Sequence, residues 1–311
     1  MSADKKDDAQ TTLPSAAPTV WFNGEYIPLV QATIPITTHS LHYGTAIFEG
    51  VRFYQTSLGS AVFRWRDHSQ RFFSSADVLS MHIPYSKDEL ERAALNLIKK
   101  NELSEGYIRA IAFFGEGISL IRADLKVQVA IFLLPWPTPE VKEPVRLGLS
   151  RFIKSDPRSI IHTAKIAGHY VNSYLAATSI DQSKYGGTLM LDGEGNVAET
   201  SVANIFAVKD RIIFTPKIGS ILPGLTRDTI LQLARWLGIS AQERVISLSE
   251  LQQAEEVFIT GTAVEVVPVS MIEEAGIGDG RRGEITVQLE QAYKDCVQGR
   301  NSEFEHWLTR V

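Results

Sequence analysis

Four prolines fall within ten residues at Pro135-Trp136-Pro137-Thr138-Pro139-Glu140-Val141-Lys142-Glu143-Pro144. Each fixes its own φ and removes a backbone donor, so neither a helix nor an inner strand can run through the stretch. It reads as a linker. The linker divides 311 residues into two parts, each long enough to bury a core of its own. The expected architecture is therefore two α/β domains, a smaller one over residues 19–134 and a larger one over 145–311, joined by 135–144. A ligand site falls most naturally at their junction. Residues 1–18 are polar and charged, with Ala, Ser and Pro and no apolar core, and read as a disordered tail rather than a signal peptide.

Within the first part, Thr19-Val20-Trp21-Phe22 and Glu25-Tyr26-Ile27-Pro28-Leu29 flank Asn23-Gly24, a hairpin signal. A third strand-like run, Ala32 to Thr37, leads into the dense mixture His39 to Arg52. Ala61 to Trp65 reads as a strand. Arg66 to Met81 reads as a helix with Phe72, Phe73, Ala76 and Leu79 as its apolar stripe, and Lys87 to Asn101 as another with Leu90, Ala93, Ala94, Leu97 and Ile98 at helical spacing. Tyr107 to Phe114 and Val127 to Leu134 read as buried strands. Beyond the linker the pattern gives strands at 145–151, 187–192, 197–208, 211–215, 242–247 and 255–269. Helices are expected from Tyr170 to Lys184, with Tyr170, Tyr174, Leu175 and Ala177 on or near one face, from Leu225 to Leu237, and from Ile285 to Gln298.

The formal net charge of −5 comes with no basic block. That disfavours nucleic acid and anionic membranes as partners and leaves small molecules. No window approaches the roughly 20 consecutive apolar residues of a membrane span. The single cysteine, Cys296, excludes an internal disulfide and any CxxC metal site, and suits the reducing cytoplasm. His39 and His42 stand three residues apart without a second pair or a carboxylate cluster, so no metal is expected. Gly115-Glu116-Gly117 lacks the third glycine and the helix start of a dinucleotide fingerprint.

Chemistry is concentrated around Lys165, in His162-Thr163-Ala164-Lys165-Ile166-Ala167-Gly168-His169-Tyr170, where no acidic side chain is near in sequence. A lysine buried without a partner loses up to about 3–5 pKa units and becomes a nucleophile; on its own stretch it reads rather as a lysine that snorkels to the surface from a loop. Leu222-Pro223-Gly224-Leu225-Thr226-Arg227-Asp228 is a Pro-Gly turn opening a helix, a phosphate seat by virtue of its free N–H groups, although a threonine there also serves as a routine cap. Gly261-Thr262-Ala263 follows an apolar strand and can offer N–H groups and a hydroxyl to an anion. Glu199 is a carboxylate in an apolar, hydroxyl-rich run, or else a surface turn residue.

In order, these parts form one pattern: lysine, a glutamate 34 residues later, Pro-Gly-Leu-Thr-Arg, then Gly-Thr-Ala. Upstream stand Trp21-Phe22-Asn23-Gly24-Glu25, His42-Tyr43-Gly44, Phe48-Glu49-Gly50-Val51-Arg52 and Tyr107-Ile108-Arg109. The whole resembles the fold-type IV pyridoxal-phosphate enzymes, and among them the branched-chain amino-acid aminotransferases, from about Thr19 to Trp307-Leu308. The resemblance implies that family's two-domain α/β (α+β) architecture, with the site between a small N-terminal and a larger C-terminal domain. It implies pyridoxal 5′-phosphate bonded to Lys165, which also shuttles the proton. Tyr170 would meet the cofactor's phenolic oxygen and Glu199 its pyridine nitrogen, while Arg71, Leu225, Thr226 and Thr262 would hold the phosphate. From the residues alone, Arg71 reads as an exposed helix charge.

For the substrate, the resemblance implies Thr262, Ala263 and the Tyr107 hydroxyl at the α-carboxylate and Arg109 at the distal carboxylate of glutamate. Phe48, Gly50, Trp136 and Ala263 would form the apolar wall, with Tyr43 reaching in from a second subunit of at least a dimer. The implied reaction moves the amino group between leucine, isoleucine or valine and 2-oxoglutarate by ping-pong kinetics, with amino acids and keto acids as partners. Two departures touch specificity. The loop Phe113 to Leu120 is one residue shorter than the family's usual form and lacks its Met-Gly pair, and Pro139 replaces a tyrosine found in some relatives. A transaminase on the same fold accepting (R)-primary amines or D-amino acids is the alternative.

Overall fold

The computed structural model describes residues 18–121, 124–137 and 143–311. The tail expected over 1–18 lies outside them but for Pro18, as does the middle of the linker, residues 138–142.

Strand β1 (Thr19–Phe22) turns into β2 (Glu25–Pro28) at Asn23-Gly24. Ala32 to Thr37 is not a strand. Pro35 has no N–H to pair, and its carbonyl accepts both the Thr38 hydroxyl at 2.6 Å and the Thr38 N–H at 3.0 Å, which closes a turn. The short helix α1 (His39–Tyr43) follows, then β3 (Ile47–Thr56) and β4 (Gly59–Phe63). Next come α2 (Trp65–Val78) and α3 (Lys87–Lys100), then β5 (Gly106–Phe114) and β6 (Val127–Leu134). All five apolar residues of the α3 stripe are buried. Ser86 and Glu89 cap that helix reciprocally, a device that contributes about 1 kcal/mol.

The second part opens with β7 (Val145–Leu149) and α4 (Tyr170–Ala177). α4 is shorter than its sequence pattern suggests because Thr178 and Ser179 turn their hydroxyls back onto the carbonyls of Tyr174 and Ala176, offering the chain an alternative to another helical turn. Its buried residues are Ser173 and Ala176; Tyr174 and Leu175 are exposed in the protomer. β8 (Gly187–Leu191) and β9 (Val197–Thr200) come next. The run 197–208 is broken, since the Thr200 hydroxyl closes a turn by accepting the Ala203 N–H at 2.8 Å. β10 (Asn204–Lys209), β11 (Ile212–Pro216), α5 (Leu225–Trp236), β12 (Ala241–Arg244) and α6 (Leu248–Gln252) continue the chain. Residues 255–269 also divide, into β13 (Glu256–Gly261) and β14 (Glu265–Ile272), with β15 (Ala275–Gly276), α7 (Glu284–Val297) and β16 (Leu308–Arg310) after them.

Among the described residues the strands form two sheets. The first is antiparallel throughout, in the order β16-β4-β3-β5-β6-β1-β2. The second is mixed, in the order β12-β11-β10-β13-β14-β7-β8-β9, with β15 on β14. Helices α2 and α3 cover the first sheet, burying Phe72, Ala76, Leu90, Leu97 and Ile98 against Val51, Ile108 and Ile131. Helices α5 and α7 cover the second, where Ile230, Leu233 and Leu289 meet Phe206 and Phe258. The second core also takes in Tyr54 and Phe63 of the first sheet.

One face of α2 is polar and buried: Arg64, just before the helix, and His68 and Ser75 on it are each under 10% exposed. Arg64 reaches the second part, where its Nη1 donates to Leu225 O at 3.0 Å, Asp228 Oδ2 at 2.6 Å and Thr229 Oγ1 at 2.9 Å. Arg71, on the same face, donates through Nη1 to Pro223 O at 3.1 Å. This helix therefore fixes the N-terminus of α5 relative to the first sheet.

Candidate active site

The lysine segment is strapped to the start of β3. Phe48 N donates to Lys165 O, Ala167 N to Ala46 O and Gly168 N to Gly44 O, at 2.7–3.1 Å. Ala164 and Ile166 turn into the first core. Burying a side chain such as isoleucine stabilises by about 1.5–3 kcal/mol, and the alternation sends Lys165 the other way, into a cavity of about 390 Å³ between the two sheets. Its backbone N–H donates to Ser75 Oγ of α2 at 2.9 Å. Its Nζ donates to the Tyr170 hydroxyl at 2.6 Å and lies 4.8 Å from the centre of the Phe48 ring. Burial, helped by the Arg71 charge, lowers the Lys165 amine to about 7, so it is largely unprotonated in mildly alkaline solution. Burial and the Glu199 carboxylate push the Tyr170 hydroxyl well above its ordinary value.

Glu199 closes one end of the cavity from β9. Its Oε1 pairs with Lys154 Nζ at 2.8 Å, and its Oε2 accepts Asn204 Nδ2 at 2.9 Å. Asn204 also sets the approach to α5, because a Cβ on Gly224 would fall 2.0 Å from Asn204 Oδ1. Only glycine lets the turn come this close. At the other end lie Arg71 and the first turn of α5, whose Gly224 N-cap has no side-chain cap, so its leading N–H groups are open to an anion. Arg227, inside the Pro-Gly-Leu-Thr-Arg run, takes no part; it is buried against Pro216 O and Glu243.

The opposite wall comes from the first sheet. On β3 Phe48 and Gly50, and on β5 Tyr107 and Arg109, project from one face, as the period of two requires. Gly50 pairs with Arg109 across the ladder. A Cβ on Gly50 would stand 1.5 Å from the Tyr107 hydroxyl oxygen, so the absence of a side chain there lets Tyr107 lie over the strand. The Arg109 guanidinium sits 4.8 Å above the Phe48 ring, and its Nη2 donates to the Tyr107 hydroxyl at 3.5 Å. Trp136 leans on Tyr107 and donates from Nε1 to Ala263 O at 3.1 Å, tying the linker to the turn between β13 and β14. Behind that turn Arg52 donates to Trp136 O at 2.9 Å, and the Tyr54 hydroxyl donates to Glu265 at 2.8 Å.

Phe48, Gly50, Arg71, Tyr107, Arg109, Trp136, Lys165, Tyr170, Glu199, Leu225, Thr226, Thr262 and Ala263 all line this one cavity. Tyr43 does not. It is 40% exposed, and its hydroxyl donates to Ile118 O at 2.6 Å. Sequence reasoning missed Lys154 and Asn204. Neither carries a local signal: Lys154 lies between β7 and the lysine segment, and Asn204 at the first position of β10 looks like any strand polar residue. Among the described residues no group of His, Cys, Asp or Glu could hold a metal ion, and no helix is long and apolar enough to cross a membrane.

The sequence pattern that defines the class IV amino-transferases matches residues 46–272. A branched-chain-amino-acid aminotransferase of Pseudomonas aeruginosa is 40% identical over 297 residues, covering 94% of this chain and 97% of that protein. The enzyme of the same name from Escherichia coli K12 is 36% identical over 299 residues, with the same coverage. The crystal structure of a T.th. branched-chain amino acid aminotransferase complexed with N-(5′-phosphopyridoxyl)-L-glutamate superposes with a TM-score of 0.92 at 37% identity, covering 95% of this chain and 99% of that one.

Proposed function

The chain belongs to the class IV amino-transferases, and on that footing we propose that it moves the amino group between leucine, isoleucine or valine and 2-oxoglutarate, with pyridoxal 5′-phosphate as its cofactor. The observation that carries the proposal is the meeting of Lys165, Tyr170, Glu199, Arg71 and the open end of α5 around one cavity. The donor set fits the cofactor: an amine of lowered basicity for its aldehyde, a carboxylate for its ring nitrogen, and a guanidinium with a helix N-terminus for its phosphate. Thr260 Oγ1, from the second sheet, and Arg109 Nε, from the first, are buried at this cavity with no hydrogen-bond partner among the described residues, and such atoms suit a polar occupant.

Bound there, the cofactor would supply an aldehyde carbon that takes up the amino group and a protonated ring that holds the electrons released at the substrate's α-carbon. Arg71, Leu225, Thr226 and Thr262 would hold the phosphate. Glu199, fixed by Lys154 and Asn204, would keep a negative charge at the ring nitrogen. Lys165 Nζ would be the base that takes the substrate's α-proton and later returns it. The Tyr170 hydroxyl orients that amine.

The substrate's α-carboxylate would rest on the Thr262-Ala263 turn and the Tyr107 hydroxyl. Phe48, Gly50, Trp136 and Ala263 offer an apolar wall to a branched side chain, and Arg109 at its edge a charge for a distal carboxylate. One cavity would serve both substrates in turn, so ping-pong kinetics follow. We take the working form to be at least a dimer in the cytoplasm. Tyr43 points away from its own cavity onto the 115–120 loop, and Ile36, Leu41, Ile118, Leu120 and Ile121 beside it are exposed in the protomer, an apolar surface of the kind that subunits cover.

Purified protein loaded with pyridoxal 5′-phosphate should be yellow, and borohydride should leave the cofactor on the peptide containing Lys165. A protein that takes up no cofactor overturns the proposal. Turnover of a panel of amino acids with 2-oxoglutarate tests the substrate; failure with all three branched-chain amino acids beside good turnover of an (R)-amine overturns that part.

A further inference from the structure

Glu49 is a carboxylate 2% exposed, in the middle of a strand, whose neighbours Phe48 and Gly50 face the cavity while it faces α2. Burying such a charge is unfavourable unless every lone pair is answered. Here Arg71 Nε donates to Oε1 at 2.6 Å and Arg71 Nη2 to Oε2 at 3.0 Å. His68 Nδ1 lies 2.7 Å from Oε2, and Gly50 N donates to it at 3.3 Å. His68, one turn before Arg71 on α2, is itself 3% exposed, and burial lowers its basicity. Because an ionised carboxylate can only accept, His68 Nδ1 is the donor of this pair. Burial opposes the charge on Glu49, yet Arg71 and His68 hold its carboxyl well below the usual range.

The arginine in this cluster is the one that faces the open end of α5. A guanidinium has five N–H donors in a plane. Glu49 takes the Nε and Nη2 bonds along one edge, and Pro223 O takes one from Nη1. Two N–H groups remain, and Arg71 lines the cavity. A freely rotating arginine would have to be ordered when an anion arrives; this one is ordered beforehand, at the expense of part of its charge.

We propose that Glu49 is a positioning residue for phosphate recognition: its bidentate grip on Arg71, backed by His68, orients the guanidinium toward the phosphate seat at the N-terminus of α5. The proposal rests on Arg71 being the phosphate arginine and adds how that arginine is made selective. Glu49 does not line the cavity. It acts through Arg71, and it does so at the phosphate alone.

The test compares pyridoxal 5′-phosphate with pyridoxal, which lacks the phosphate, by absorbance titration of the cofactor-stripped full-length protein. Wild type should bind the phosphate form the more tightly. Glu49→Gln should weaken pyridoxal 5′-phosphate by about tenfold or more, the scale of a lost charged hydrogen bond, and leave pyridoxal within about twofold. With Arg71 changed to Gln, adding Glu49→Gln should cause no further loss, since a residue acting through another has nothing left to position. Should Glu49→Gln not fold, Glu49→Asp keeps the charge at a shorter reach and should show a smaller loss confined to the phosphate form. Equal losses for both ligands, unchanged or tighter binding of the phosphate form, or the same loss in the Arg71→Gln background overturns the inference. A wild type that binds both ligands alike overturns the phosphate role of Arg71 and the inference with it; a wild type that discriminates beside a variant that discriminates equally overturns the inference alone.

Discussion

Lys154 Nζ and Glu199 Oε1 stand 2.8 Å apart with side-chain exposures of 10% and 8%. Removing one partner of a buried pair leaves the other uncompensated. Lys154→Met should therefore destabilise the stripped protein by about 3 kcal/mol, measured by denaturant unfolding, and cofactor loading should recover part of that loss by giving Glu199 a new partner. An unchanged unfolding midpoint would show that Asn204 alone suffices to hold the carboxylate.

The Lys165 amine, lowered to about 7 by burial and the Arg71 charge, should react with an amine-selective reagent at a rate that climbs through pH 7 and then levels, whereas an ordinary lysine titrates near 10.4. The same shift acts on stability. Between about 7 and 10.4 the unfolded chain binds a proton at this position that the folded chain does not, so the stripped protein should gain stability as pH rises through that window. A Lys165→Met variant should lack this gain. A reaction midpoint near 10 in the intact protein would refute the buried, unprotonated amine.

Gly50→Ala places a methyl group 1.5 Å from the Tyr107 hydroxyl oxygen, on a strand held by neighbours on both sides. Tyr107 must move. Since a displacement of about 1 Å costs on the order of a hundredfold in rate, kcat/KM for branched-chain substrates should fall by roughly that factor while pyridoxal 5′-phosphate uptake stays intact. Parallel loss of cofactor would indicate wider damage.

Arg109→Ala removes the guanidinium that lies over Phe48 beside Tyr107. It should raise KM for 2-oxoglutarate far more than for a branched keto acid, by about tenfold or more if a charged hydrogen bond is lost. Equal losses with both acceptors would remove Arg109 from the reading of the distal carboxylate.

What was legible in the sequence was what local chemistry decides. The α3 stripe, the Asn23-Gly24 hairpin and the glycine turn before α5 each follow from neighbours along the chain. Two of the misread boundaries belong to hydroxyls: Thr200 breaks an apparent long strand, and Thr178 and Ser179 end α4 early, because a side chain competing for backbone bonds leaves no periodic trace. Arg71 shows the deeper limit. On the helix it resembles any surface charge, and what buries it is Glu49 on another strand and Pro223 far along the chain. Lys154 was missed for the same reason: its meaning lies in Glu199.

Strand β16 has a consequence for how the molecule is made. It completes the edge of the first sheet beside β4, yet it leaves the ribosome only after the whole second sheet. During synthesis β4 therefore waits with an unpaired edge, the kind of surface that invites mispairing with another chain. The first half of the protein cannot reach its finished form by itself, and the Arg310 contact with Thr56 is among the latest to form. A chain stopped short of β16 should emerge soluble only with a chaperone's help, however complete its catalytic residues.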